Sequence, residues 1–234
     1  MKIIWRVLMA LLLIALTATA ETKETRKQNA RLQDSGVVMS EILNMPESIP
    51  DHMLDRTKCV VVIPSVRKAA FVVGASYGRG AMVCRTGDDF TGPWGAPSMM
   101  ALEGGSFGLQ AGAEATDFVF LIMNEHGATS LLKSKVKLGG DIAAVAGPVG
   151  RDAQAGTDAY MRAEILTYSR ARGIFAGISL DGSTLRPDND GNEALYGERY
   201  NARSIVLGRG PQRPPSAERL VTLLENASPV PANG

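Results

Sequence analysis

The apolar positions of the chain change period near Cys59. Upstream, Val38, Ile42 and Met45 recur at helical spacing with Met39 and Leu43 beside them. One helix is therefore expected from about Lys23 to Asn44, half solvated and half docked, and stopped by Pro46 and Pro50. A short helix is expected at Asp51–Arg56. Downstream, the runs become short and rich in β-branched residues: CVVVIP (59–64), AAFVVGA (69–75), RGAMVCR (79–85) and SFGLQAGAEA (106–115). Gly, Pro and polar pairs separate them, and the gaps are too short for helical crossovers, so antiparallel strands are expected. Further strands are read at IAAVAGPVG (142–150), AEILTYSR (163–170) and GIFAGISL (173–180). Helical stretches are read at Asn124–Lys133 and around Asn192–Tyr196. From residue 209 the chain reads as a proline-rich linker and a short amphipathic helix, Ser216–Asn226, carrying Leu220, Val221, Leu223 and Leu224. A disordered tail is expected to follow.

Within 106–115, Phe107, Leu109, Ala111, Ala113 and Ala115 alternate with Ser106, Gly108, Gln110, Gly112 and Glu114. Side chains alternate sides along a strand, so the segment reads as one strand with a single apolar face. Glycines fall at 104, 108 and 112. Glycine weakens a strand interior and needs a reason there; close packing of another piece of the same chain is the expected one, ahead of a ligand or lipid tail. The fold expected from these patterns is α+β. A strongly curved, antiparallel, glycine-rich sheet would carry an N-terminal helix and short flanking helices, all within residues 21–208.

Composition sharpens this picture. The 25 glycines and few aromatics among 234 residues suit a tightly turned β-rich domain better than a helical bundle. MKIIWR, the apolar VLMALLLIALT and Ala18-Thr19-Ala20 form a signal-peptide pattern over residues 1–20. Export to the periplasm or the outside is expected. No cysteine follows the cleavage pattern, so a lipoprotein anchor is not indicated. Loss of Lys2 and Arg6 with that segment moves the formal charge from +1 to −1, which argues against nucleic acid as a main partner. No second run approaches the roughly 18 apolar residues of a spanning helix. An exported protein can pair its two cysteines, Cys59 and Cys84, but buried free thiols are also common in strand-like runs. In a simple meander the two would not face each other, so the pairing stays open. Two cysteines with His52 and His126 are too few for a zinc site, and no metal or cofactor is expected.

Short motifs carry little chemistry here. Gly74-Ala75-Ser76-Tyr77-Gly78 matches the nucleophile-elbow pattern, which requires a strand before it and a helix after it. RGAMVCR follows and alternates like another strand, so a hairpin accounts for the glycines and no catalytic residue is assigned. Ser65-Val66-Arg67-Lys68 matches S-x-x-K but lies between strands and reads as a charged hairpin turn. Asp188-Asn189-Asp190-Gly191-Asn192 lacks the glycine and glutamate positions of a calcium loop and reads as Asx turns with a helix cap. Pro211-Gln212-Arg213-Pro214 reads as a stiff linker.

Basic residues form three groups: Lys133, Lys135 and Lys137; Arg67 and Lys68; and Lys23, Arg26, Lys27 and Arg31 on the first helix. A basic residue near an anionic membrane surface contributes about 1 kcal/mol. Segment 21–34 holds four basic and three acidic residues, so its net attraction is small. Apolar burial, worth about 0.8 kcal/mol per CH₂ of a lipid chain, would have to dominate.

Four ordered blocks together resemble the SYLF-domain family: CVVVIPSVRKAAFVVGASYGRGAMVCR, GPWGAPSMMALEGGSFGLQAGAEATDFVFLIMN, KLGGDIAAVAGPVGR, and AEILTYSRARGIFAGISLDGSTLRPD with ALYG after it. The likeness covers roughly residues 30–200. It implies a non-enzymatic lipid-binding domain; eukaryotic relatives bind phosphoinositides and some bind actin filaments, while bacterial relatives are exported. The function expected on this basis is binding of phospholipid or a related amphiphile at the cell envelope. Lys23, Arg26, Lys27 and Arg31 would meet head groups, and Val38, Ile42 and Met45 would meet the bilayer or the sheet. The alternative is a protein-interaction or scaffolding domain without lipid binding.

Overall fold

The β-branched runs between Cys59 and Cys84 form two long strands, where the sequence pattern suggested three short ones. The computed structural model describes residues 21–46, 48–70, 73–107, 112–149, 160, 162–171, 174–177, 180 and 182–230. Strands β1 (Cys59–Ala70) and β2 (Val73–Cys84) pair antiparallel from Cys59↔Cys84 to Ala70↔Gly74. The two cysteines therefore stand directly opposite and are joined by a disulfide. A three-strand meander would have placed them at opposite ends, which is why the sequence left the bridge open. Pro64 suggested a strand end. The structure keeps the strand and absorbs the proline in a β-bulge, where the register shifts between Val62 and Arg67. Ser65 takes φ 49 there, and its N–H donates to Asp117 Oδ1 at 2.8 Å.

The alternating stretch 106–115 is also divided. Its first residues close β3 (Ser98–Phe107) and its last open β4 (Gly112–Ile122); residues 108–111 lie outside the described residues. β3 pairs with β2, whereas β4 lies on the far side of β1. Gly104 shows why glycine stands there. A Cβ on it would come within 2.4 Å of Ser76 Oγ and 2.8 Å of Ser183 Oγ, so close packing of the same chain is the reason.

The remaining strands are β5 (Val136–Lys137), β6 (Ala144–Ala146), β7 (Ile165–Ala171), β8 (Ile174–Gly177) and β9 (Thr184–Pro187). Among the described residues they complete one curled sheet in the order β5-β9-β3-β2-β1-β4-β7-β6, with β8 also on β7. All pairs are antiparallel except β6 with β7, which is parallel. The architecture is α+β, as expected. The short β5 and β9 carry no strand-length signal in the sequence and exist through their partners.

The helices cover both faces. α1 (Lys23–Leu43), α2 (Asp51–Asp55), α4 (Asn189–Tyr196) and α6 (Glu218–Ala227) lie over one face; α3 (Glu125–Lys133) and α5 (Ala202–Val206) lie over the other. A sheet covered on both sides needs apolar residues at consecutive positions, which explains CVVVI: Val60 and Val62 enter one core, and Cys59, Val61 and Ile63 the other. α1 starts at Thr22, whose hydroxyl accepts from Thr25 N–H at 3.1 Å, and ends ahead of Pro46. It buries Leu32, Val38, Met39 and Ile42 against the sheet and α6. At about 1.5–3 kcal/mol per buried side chain, these four contribute on the order of 6–12 kcal/mol of gross burial. α6 crosses α1 closely, since a Cβ on Gly36 would lie 3.2 Å from Leu220 N. Leu220, Val221 and Leu224 are buried, so the C-terminal helix belongs to the core and does not hang from a linker.

Candidate interaction site

The enzyme-like motifs dissolve into strand geometry. β2 runs unbroken from Val73 to Cys84, so Ser76 lies inside a strand with no helix after Gly78, and the elbow is absent. Ser65 to Lys68 lie within β1. Asp188 caps α4, its Oδ1 accepting from Gly191 N–H at 3.3 Å, as the Asx reading anticipated. Among the described residues no group of His, Cys, Asp or Glu is placed to hold a metal. None of their helices is long and apolar enough to cross a membrane.

The feature that stands out is a cleft where α1 crosses the β1 bulge. It has a volume of about 410 Å³ and is lined by Arg31 and Asp34 of α1, Pro64, Ser65 and Arg67 of β1, and Tyr77, Gly78 and Arg79 of β2. The bulge and the register create it. Arg67 pairs across to Tyr77, and β2 alternation puts Arg79 on the same side as Tyr77. β1 and β2 have neighbours on both edges here, so no open strand edge is offered.

Arg79 is held from two sides. Its Nη1 lies 3.3 Å from Oδ2 of the buried Asp188, and its Nε donates to the Tyr77 hydroxyl. Its guanidinium also stands 5.7 Å from the Tyr77 ring centroid. Burial opposes the Arg79 charge, but Tyr77 and Asp188 outweigh it and the pKa moves up. Tyr77 remains 44 % exposed. Arg31 is half-buried and donates to Gln28 Oε1 at 2.7 Å; Arg67 is exposed. Neither forms an ion pair among the described residues. Their neighbours differ: Arg170 pairs with Asp117 at 2.6 Å and Glu41 at 2.5 Å, and Arg186 with Glu103 at 2.7 Å. In the first turn of α1, the Glu24 carboxyl is held below its usual range, first by a hydrogen bond from Lys27 and then by the charges of Lys27, Arg31 and Arg79.

Of the seven residues singled out in the sequence, only Arg31 lines this cleft. Lys23, Arg26 and Lys27 are exposed on the first turns of α1, and Lys27 pairs with Glu24 at 2.9 Å. Val38 and Ile42 lie in the core, and Met45 packs partly buried against it. The sheet has taken the apolar face that a bilayer would need. Arg67, Tyr77 and Arg79 were missed as a group. Reading 65–68 as a turn hid the register that brings them together.

The family model described as Ysc84, Las17-binding protein actin regulator, matches residues 103–227. Protein YSC84 of Saccharomyces cerevisiae is 33% identical over 207 residues, 87% of this chain and 43% of that protein. LAS seventeen-binding protein 3 of the same species is 33% identical, over 87% of this chain and 44% of its own length. Human SH3 domain-containing YSC84-like protein 1 is 34% identical over 185 residues, 78% of this chain and 53% of that protein. The chain thus spans about half the length of these relatives.

Proposed function

The chain belongs to the Ysc84 family of Las17-binding actin regulators, and on that premise we propose that it is a non-enzymatic protein-interaction domain. Its docking surface is the Arg31–Arg67–Tyr77–Arg79 cleft. The observation that carries this reading is the cleft's composition. Arginine and tyrosine are the residue types that dominate binding energy at protein interfaces, and here they line a recess in which Arg79 is held by Asp188. The names of the relatives supply the partners to test first, Las17 and actin. Pull-down with purified Las17 and co-sedimentation with actin filaments are compared for the intact protein and for Arg31→Glu/Arg67→Glu. Binding to either partner that the double variant loses supports the reading. No binding to either, or binding that the variant retains, overturns it.

A second reading is peripheral contact with anionic phospholipid through Lys23, Arg26 and Lys27, which are exposed together at the start of α1. It leaves Val38, Ile42 and Met45 in place, because releasing the α1 face would sacrifice burial comparable to a whole domain's net stability of about 5–15 kcal/mol. Flotation on phosphatidylserine vesicles, reduced by a Lys23/Arg26/Lys27 alanine variant, is the expected outcome. Export through residues 1–20 is part of the proposal. The Cys59–Cys84 disulfide supports it, since such bridges persist in oxidising compartments.

A further inference from the structure

We infer that the partner element seated in the cleft is an acidic, extended stretch of protein chain whose carboxylates pair with Arg31 and Arg67. The inference rests on the protein-docking reading above and adds the chemistry of the partner.

Charge pairing is uneven around the cleft. Arg79, Arg170 and Arg186 each have a carboxylate of this chain within 3.3 Å. Arg31 of α1 and Arg67 of β1, which line the cleft, have none among the described residues. Among the described residues, these two guanidiniums are open to a carboxylate from a partner. Arginine is suited to this because its planar fork binds a carboxylate through two parallel hydrogen bonds.

One acidic group then selects among anions. Asp34 lines the same cleft as Arg31, Arg67 and Arg79. A group carrying several phosphate charges in one place would be repelled by it more than a single carboxylate would. A peptide distributes single carboxylates along its length and brings backbone N–H groups, for which the Asp34 carboxylate is a ready acceptor. The mixed charge therefore favours an acidic peptide over a polyphosphorylated head group.

The neighbouring geometry fixes how the peptide is held. β1 and β2 are paired on both edges at this level, so the partner cannot add as a strand. Recognition falls to side chains. Tyr77 offers an exposed ring beside Arg79, a flat apolar contact next to the charged one.

The test is selection from a phage-displayed random peptide library on the intact, disulfide-bonded protein, with Arg31→Ala/Arg67→Ala as counter-selection. Retained peptides are then measured by fluorescence anisotropy. The expected result is enrichment of Asp and Glu, with affinity at least tenfold weaker for the double variant and falling as salt rises. Asp34→Asn strengthens binding of inositol hexakisphosphate more than it strengthens binding of the peptide. Retained peptides without acidic residues, or acidic peptides that bind the double variant equally well, overturn the inference. So does inositol hexakisphosphate displacing the peptide from wild type at lower concentration than the peptide's own Kd. Loss of Las17 or actin binding in the Arg31→Glu/Arg67→Glu variant, together with no acidic enrichment, keeps the docking surface and removes the acidic partner.

Discussion

Ile42→Ala separates a docked α1 from a membrane-seeking one. Ile42 is fully buried in the core shared by α1, the sheet and α6. Truncating a fully buried isoleucine to alanine removes transfer free energy and leaves a cavity, and costs about 2–5 kcal/mol. Close contact between α1 and α6 at Gly36 leaves little room for collapse, so a loss of about 3 kcal/mol is expected. For a domain of this size, each kcal/mol shifts Tm by about 2–4 °C, giving a fall of about 6–12 °C. Of the two tryptophans, Trp5 lies in the expected signal segment and Trp94 is buried, with its indole N–H donating to Ser228 O at 3.1 Å. Its fluorescence reports urea unfolding directly. The midpoint should move down at constant m-value, while Lys27→Ala, which removes only an exposed ion pair, should change stability by less than about 0.5 kcal/mol. An Ile42→Ala loss below about 1 kcal/mol would refute the packing argument and return Val38, Ile42 and Met45 to the bilayer.

Three further outcomes are expected. Reducing Cys59–Cys84 releases a 25-residue separation, so chain entropy predicts a loss of about 3.5 kcal/mol, read as a lower urea midpoint in dithiothreitol; an unchanged midpoint would contradict the bridge. Gly80→Ala would place a methyl carbon 1.9 Å from Val62 O and 2.8 Å from Ile63 Cα, both backbone atoms at the bulge. It should cost about 3 kcal/mol, and wild-type stability would mean that β1 and β2 do not approach this closely. Ser76 should resist a serine-directed fluorophosphonate, because it lies within a continuous strand; labelling abolished by Ser76→Ala would restore the hydrolase reading.

Helices with their own signals were legible in the sequence. Thr22 and Asn124 cap α1 and α3, and the helical spacing of Val38 and Ile42 marks the docked face. What local pattern could not supply was pairing. Pro64 looks like a strand end unless the chain on either side holds the bulge, as β2 and Asp117 do here. Gly104–Ala115 alternates well enough to pass for one strand, although its two ends pair with different neighbours, β2 and β1. The site suffered from the same gap. Arg31 could be named from its helix, but Arg67, Tyr77 and Arg79 become one surface only through the β1–β2 register and the passage of α1 over it.

Site-specific photo-crosslinking tests the docking surface most directly. Benzoylphenylalanine is placed at Tyr77, and separately at the exposed Glu198 away from the cleft, and each protein is irradiated with Las17 or actin filaments. A covalent adduct from position 77 and none from position 198 is the predicted result. Adducts from 198 alone, or from neither position although the partner is bound, would place the contact elsewhere and contradict the account.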